Sequence, residues 1–240
     1  MEFDNFKGKL CKLGRDINIE ISENQAKKFY DYMNLLLEWN KKINLTAIIE
    51  PDEVILKHFI DSLTSIRFLK GNEKIIDVGT GAGFPGIPIK IMFEDTNIVL
   101  ADSLNKRINF LNEVISKLEL KNIECIHQRA EDIGQNPQFR EKFDIATSRA
   151  VANLTVLSEY LLPLVNLNGR MICLKGSNIE EEIKESRNAI NILGGKSVEI
   201  DSFTLPSSDN SRNIIISRKF KNTPNIFPRK AGLPSKEPIK

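Results

Sequence analysis

The stretch 74–89, KIIDVGTGAGFPGIPI, constrains the fold of this chain more than any other: a short apolar run breaks into glycines and restarts as an apolar, helix-like pattern. β-Branched Ile75, Ile76 and Val78 suit a buried strand, while Gly79, Gly81 and Gly83 permit left-handed backbone and let a ligand approach bare main chain. The stretch therefore reads as strand, tight loop and helix start. N–H groups at that helix start are expected to face the ligand, and Asp77 at the strand end supplies a fixed negative charge. In outline this is a nucleotide-like pocket.

Two cofactor classes fit such a loop. Gly81-x-Gly83-x-x-Gly86 matches the spacing of a dinucleotide fingerprint, in which a helix N-terminus holds pyrophosphate. Asp77-x-Gly79-x-Gly81-x-Gly83 matches the loop that class I methyltransferases wrap around S-adenosylmethionine. The acid favours the second. A carboxylate at the strand end repels a pyrophosphate but can order polar groups near a cofactor with an ammonium and a cationic sulfur.

On both sides of this stretch the chain keeps a regular rhythm. Ser22-x-x-Gln25 resembles a capping box, and Ala26, Phe29, Tyr30, Met33, Leu36 and Leu37 recur at helical spacing, which predicts a helix over 22–40. Pro51 fits the first turn of a second helix over 52–59, and a third is predicted over 61–69. Residues 1–70 are thus expected to be a helical appendage, with a boundary at Gly71-Asn72. His58 and Asp61, three apart, can share a helix face, although a surface or core pair is the commoner outcome.

After the glycine loop, strands predicted at 97–101, 123–127, 143–147 and 170–174 alternate with helices, the pattern of a parallel sheet covered on both faces. A closing pair, 197–205 and 213–220, is expected to be antiparallel. Ligands in such sheets sit outside the carboxyl ends of the strands. Those ends carry Asp77 and Gly79, then Asp102 and Ser103, then Arg129, Ala130 and Glu131, then Arg149, then Lys175.

Composition narrows the reading. At 240 residues, 41% hydrophobic and 28% charged, the chain suits one sizeable α/β domain with an appendage. No apolar run reaches the roughly 20 residues of a membrane span, and the polar start is unlike a secretory signal, so a soluble cytosolic protein is expected. Cys11, Cys125 and Cys173 form neither a disulfide framework nor a metal pair, and two histidines do not make a His-rich metal site. From Arg212 onward eight basic residues face one acid, a balance of +7 within a net +2, which leaves −5 on the rest. A basic terminus on an acidic body suggests a polyanion contact at one edge.

The run DVGTGAGFPGIPIKI, with ADSLNKR, RAED, FDIATSRAVA, LKG, PRKAGLPSKEPI and, upstream, WNKKINLT and HFIDSL, resembles the RsmG (GidB) family over nearly the whole chain. The resemblance implies a class I S-adenosylmethionine-dependent methyltransferase fold: Rossmann-like α/β, with a mostly parallel seven-stranded sheet and an N-terminal helical appendage. It divides the chain into that appendage (1–70), a methyltransferase domain (71–220) and a basic C-terminal tail (221–240). It implies methylation of guanine N7 in bacterial 16S ribosomal RNA; the RNA is expected within a small-subunit particle, and the protein as a monomer. Gly79 and Phe84 would line the cofactor, with Phe84 standing where other members often carry Leu. Ala130 and Glu131 would lie by the adenine, Asp102 beside Ser103 would meet the ribose hydroxyls, and Arg149 would close the site. Asp77, Gly81 and Gly83 complete the expected cofactor set. Arg149, Arg129 and Lys175 are the candidates for the transfer step, the last two through RNA handling.

The chemistry fits that implication. Guanine N7 offers a bare lone pair, so methylation releases no proton and needs no general base. Alignment for in-line displacement then supplies most of the rate. There is no Pro-Cys nucleophile and no Asn/Asp-Pro-Pro-aromatic motif; TSRAVANL stands in their place. Arg149 and Arg129 are expected on phosphate, guanine O6 or the cofactor carboxylate, with Lys175 a point charge on RNA and the basic tail on its backbone. The rivals are a nicotinamide oxidoreductase, for which a Tyr-x-x-x-Lys hydride partner is missing, and a non-catalytic RNA-binding module, which has no use for a cofactor pocket.

Overall fold

The computed structural model describes residues 1–240, apart from the side chain of Ser197. Its centre is a seven-stranded sheet of order β3-β2-β1-β4-β5-β7-β6. The strands are β1 (Lys74–Val78), β2 (Asn97–Asp102), β3 (Ile123–His127), β4 (Phe143–Arg149), β5 (Val165–Lys175), β6 (Gly195–Thr204) and β7 (Ser211–Lys219). β1 to β5 run parallel, while β7 pairs antiparallel with both β5 and β6. The chain steps outward from β1 to β3 and returns to β4 beside β1. That reversal opens the crevice at their carboxyl ends where ligands bind in sheets of this kind.

Alternation along the central strands feeds two cores. Ile75, Ile98, Leu100, Ile145 and Ile172 face one layer of helices; Ile76, Val78, Val99, Ala146 and Met171 face the other. On the first face lie α1 (Phe3–Asp16), α2 (Glu23–Ile43), an irregular helix α3 over 51–68, α4 (Gly86–Met92) and α5 (Asn105–Lys117). On the second lie α6 (Ala130–Gln135), α7 (Leu154–Leu161) and α8 (Glu180–Ile192), with a short α9 (Leu233–Lys236) in the C-terminal segment.

The structure departs from several sequence expectations. α1 has no strong sequence signal: only Phe6, Leu10 and Gly14 are fully buried on it, and no side chain caps its start. α2 has the predicted capping box, with Ser22 Oγ accepting from Gln25 N, but runs on to Ile43 and ends at left-handed Asn44. The two helices expected at 52–69 are one, passing through a π turn at Ile55–Ile60 and a 3-10 turn at Thr64–Phe68. The first seventy residues share their core with the sheet: Tyr32 and Phe59 pack with Phe84 and Phe110 in one aromatic cluster. Residues 221–240 are not a free tail either. Phe227 and Pro234 are buried, and Arg140 donates to the carbonyls of Thr223, Pro224 and Phe227.

Candidate active site

The glycine loop is shaped from beneath. Asp77 is fully buried, and its Oδ2 accepts from Thr80 Oγ1 at 2.7 Å and from Gly86 N at 2.9 Å. The helix-start N–H of Ile87 goes to Gly83 O. The expectation that this helix start faces a ligand is therefore corrected: its donors are used inside the loop. Asp77 does not line the cavity above and acts as the loop's internal acceptor; burial raises its carboxyl to about 6 against the help of Thr80 and Gly86. Gly83 is likewise beneath the surface: a Cβ on it would stand 2.6 Å from Ile87 Cγ1 and 2.8 Å from the Tyr32 hydroxyl. From the other side α2 reaches in, with Tyr32 Oη donating to Ala82 O.

What the loop does present is a cavity of about 390 Å³, lined by Gly79, Thr80, Gly81, Phe84, Asp102 and Ser103 among others. Gly79 and Gly81 adopt φ of 68° and 62°, open to glycine at no steric cost. A Cβ on Gly79 would also sit 2.6 Å from Val151 Cγ2. Asp102, 2% exposed, accepts from Leu104 N through Oδ1 and from Gly81 N and Arg107 through Oδ2. A carboxylate has about four lone-pair sites, so one stays available to a hydroxyl.

Arg149 is the keystone of the cavity wall. At the end of β4, it packs its guanidinium over the Phe84 ring at 4.7 Å. It donates to Asp61 Oδ2 at 3.1 Å, to His58 Nδ1 at 3.1 Å and to the carbonyl of Lys57 at 3.1 Å. Asp61 Oδ1 takes Arg212 Nε at 3.0 Å. His58 stacks on Phe84 with ring centroids 4.5 Å apart, and its Nε2 lies 2.8 Å from Thr46 Oγ1. Since Nδ1 accepts from Arg149, Nε2 carries the proton and donates to Thr46. Burial, then the Arg149 charge, push the imidazole down to about 3, so it is neutral at physiological pH.

Beyond this wall lies a second cavity of about 360 Å³, with apolar Ile48, Leu174 and Phe203 on its sides and Lys175 and Arg212 at its rim. His58, Arg149 and Ala150 line both cavities. Ala150, at φ 57°, holds a left-handed backbone unusual for a residue with a side chain, at the junction of the two.

The structure brings together Gly79, Gly81, Phe84, Asp102, Ser103 and Arg149 of the sequence-predicted set. It places the others differently. Lys175 lines the second cavity but is ion-paired with Glu182 at 2.7 Å and donates to Ala152 O, so it is not the unpaired point charge expected. Arg149 is internally bonded rather than reaching outward. Ala130 and Glu131 open α6 outside both cavity linings, and Glu131 Oε1 accepts from Gly232 N at 2.8 Å. Arg129 precedes them, exposed and with no side-chain partner among the described residues. Sequence reasoning missed Tyr32, Thr46, Arg107 and Arg212, and left His58 and Asp61 without a role. The signal for Thr46 was present: Asn40 clamps it through both amide atoms, which explains the turn after α2.

Comparison with known proteins decides the family. The model of GidB, rRNA small subunit methyltransferase G, matches residues 25–215. The chain belongs to that family. It is 54% identical over 232 residues to the ribosomal RNA small subunit methyltransferase G of Desulforamulus reducens, covering 96% of this chain and 97% of that one. It is 52% identical over 242 residues to the Clostridium perfringens protein of the same name, covering 100% of both. Among solved structures, TYW2 of M. jannaschii in complex with AdoMet superposes with a TM-score of 0.54 at 15% identity, over 68% of this chain and 76% of that one. Family and fold together place the chain among S-adenosylmethionine-dependent methyltransferases.

Proposed function

We propose that this family member transfers a methyl group from S-adenosylmethionine to N7 of a guanosine in 16S ribosomal RNA, with the cofactor in the glycine-loop cavity and the acceptor base in the cavity across Arg149. The relatives' name supports ribosomal RNA of the small subunit as substrate. The cofactor supplies an electrophilic methyl on a positively charged sulfur. The open backbone of Gly79 and Gly81, the free lone pair on Asp102 and the Phe84 face fit it.

The observation that carries the N7 assignment is the state of the groups at the shared wall. Both ring nitrogens of His58 are engaged, by Arg149 and Thr46, and both oxygens of Asp61 are held by arginines. Lys175 is paired with Glu182. Of the three residues that line both cavities, His58, Arg149 and Ala150, none is a free proton acceptor. Such a wall suits an acceptor that attacks through a lone pair without losing a proton. Its residues orient and exclude water: Phe84 and His58 form a flat stack, and Arg149 packs its guanidinium over the Phe84 ring while holding His58.

A regular RNA helix keeps guanine N7 in a deep, narrow groove, so a loop or a partly assembled particle is the form of RNA expected. The test is transfer of labelled methyl to small-subunit particles lacking the modification, followed by digestion to nucleosides. Label in 7-methylguanosine is the expected result; label in any other nucleoside would refute the N7 assignment, and no incorporation into RNA would refute the activity.

A further inference from the structure

The C-terminal segment carries PRKAGLPSKEPI, one of the runs that resemble the family, yet it lies on the second face of the sheet, behind the site. It crosses α6 and α7, the two helices that follow directly from the loops at the ends of β3 and β4. On α6, Gln135 donates to Pro228 O at 2.7 Å, Glu131 accepts from Gly232 N, and a Cβ on Gly134 would stand 2.6 Å from Pro228 Cγ. On α7, Glu159, 1% exposed, is gripped by Arg229: Nε and N to Oε1, at 2.9 and 2.8 Å, and one terminal nitrogen to Oε2 at 2.6 Å. Tyr160 Oη meets Ser235 Oγ at 3.1 Å.

Neither helix lines the cofactor cavity, but the chain just before each one approaches it. The loop before α7 contributes Ala150 and Val151 to its lining. At the end of β3, just before α6, His127 Nε2 lies 3.0 Å from the carbonyl of Ser103, a residue of that lining. Glu159 is buried while the Arg229 side chain is 23% exposed, and burying the carboxylate offsets much of the pair's attraction, so its geometric definition is the greater effect. We infer that the C-terminal segment is a brace that positions the two loops of the cofactor site by locking α6 to α7, with Arg229 and Glu159 as its positioning residues. The inference rests on reading the glycine-loop cavity as the cofactor site. It also takes Arg229 out of the set of RNA-gripping cations, since its guanidinium is spent on Glu159, while Lys221, Lys230, Lys236 and Lys240 stay exposed.

The test compares the full-length protein with the double variant Arg229→Met/Glu159→Gln, which leaves no buried charge unpaired and keeps an acceptor for Arg229's backbone N–H. S-adenosylmethionine affinity is measured by calorimetry, the salt slope of small-subunit RNA binding by titration, and amide exchange across 128–133 and 150–154 without ligand. The brace predicts cofactor affinity weakened by roughly fivefold or more, faster exchange in both loops, an unchanged salt slope, and recovery toward wild-type affinity in Arg229→Lys. Cofactor affinity within about twofold of wild type would overturn it; so would a double variant that no longer folds, because the contact would then belong to the folding core. A flattened salt slope with intact affinity would instead make the segment an RNA grip. If the wild-type protein itself bound no cofactor, the cofactor reading would fail, and the exchange measurement would still decide whether the brace exists.

Discussion

The two faces of the sheet are covered in different ways. The first is an aromatic stack: Phe6, Phe29, Tyr32, Phe59, Phe84 and Phe110, all buried, run from the N-terminal helices to the glycine loop. The second is closed by an irregular segment whose backbone is pinned by charged side chains, Arg140, Glu141 and Glu159. Both reach the same site. The aromatic face shapes it by packing, where energy scales with buried area, while the pinned face shapes it through directional bonds, where geometry matters more than area.

That contrast can be broken one face at a time. Phe59→Ala opens the centre of the stack and should cost about 3–5 kcal/mol of stability, seen as a lowered midpoint in denaturant melts, with cofactor affinity falling as well because Phe84 loses support. On the opposite face, Arg140→Met removes the donor to several carbonyls of the C-terminal segment and should cost about 1–3 kcal/mol. If the pinned face were as area-driven as the first, that loss would be near zero.

Smaller changes sharpen the comparison. Tyr32→Phe keeps the stack and deletes only the hydroxyl bond to Ala82 O, so about 1 kcal/mol is expected, together with weaker cofactor binding in calorimetry; unchanged affinity would mean that the N-terminal face supports the loop by packing alone. Smallest in stability is the joint change of Lys221, Lys230, Lys236 and Lys240 to Gln. These exposed cations have no ion pair among the described residues, and melting should move by less than about 0.5 kcal/mol. If they meet RNA, the salt slope of binding should drop by about 0.7–0.9 for each phosphate that is no longer neutralised.

The difference between the faces also explains what could be read in advance. The glycine loop, the parallel strands, the antiparallel closing pair and the capping box of α2 were legible because each rests on local chemistry: β-branched runs, glycines at positive φ, Ser22 with Gln25. The wall of the site was not. Arg149 gathers His58 and Asp61 from a π turn some ninety residues earlier, and Arg212 joins them from β7. Nothing in the sequence near any of these residues announces its partner. Asp77 misleads for a related reason. A carboxylate at a strand end points as readily inward as outward, and here Thr80 and Gly86 draw it beneath the loop. The basic stretch from Arg212 onward misleads by composition, since charge counting does not reveal that Arg212, Lys219 and Arg229 have internal partners.

The central claim is transfer without a general base, at a wall whose titratable groups are all engaged. Single-turnover methyl transfer to small-subunit particles, measured as a function of pH with saturating S-adenosylmethionine, tests it most directly. His58 is held down to about 3 and stays neutral throughout, so it adds no ionisation near neutrality. Asp77, raised to about 6 by burial, takes up a proton as pH falls through that value, which would loosen its grip on Thr80 and Gly86 and slow transfer only on the acid side. The account predicts a rate that is flat from about pH 7 to about pH 9. A rate climbing tenfold per pH unit anywhere in that interval would reveal a base that must lose its proton, and would contradict it.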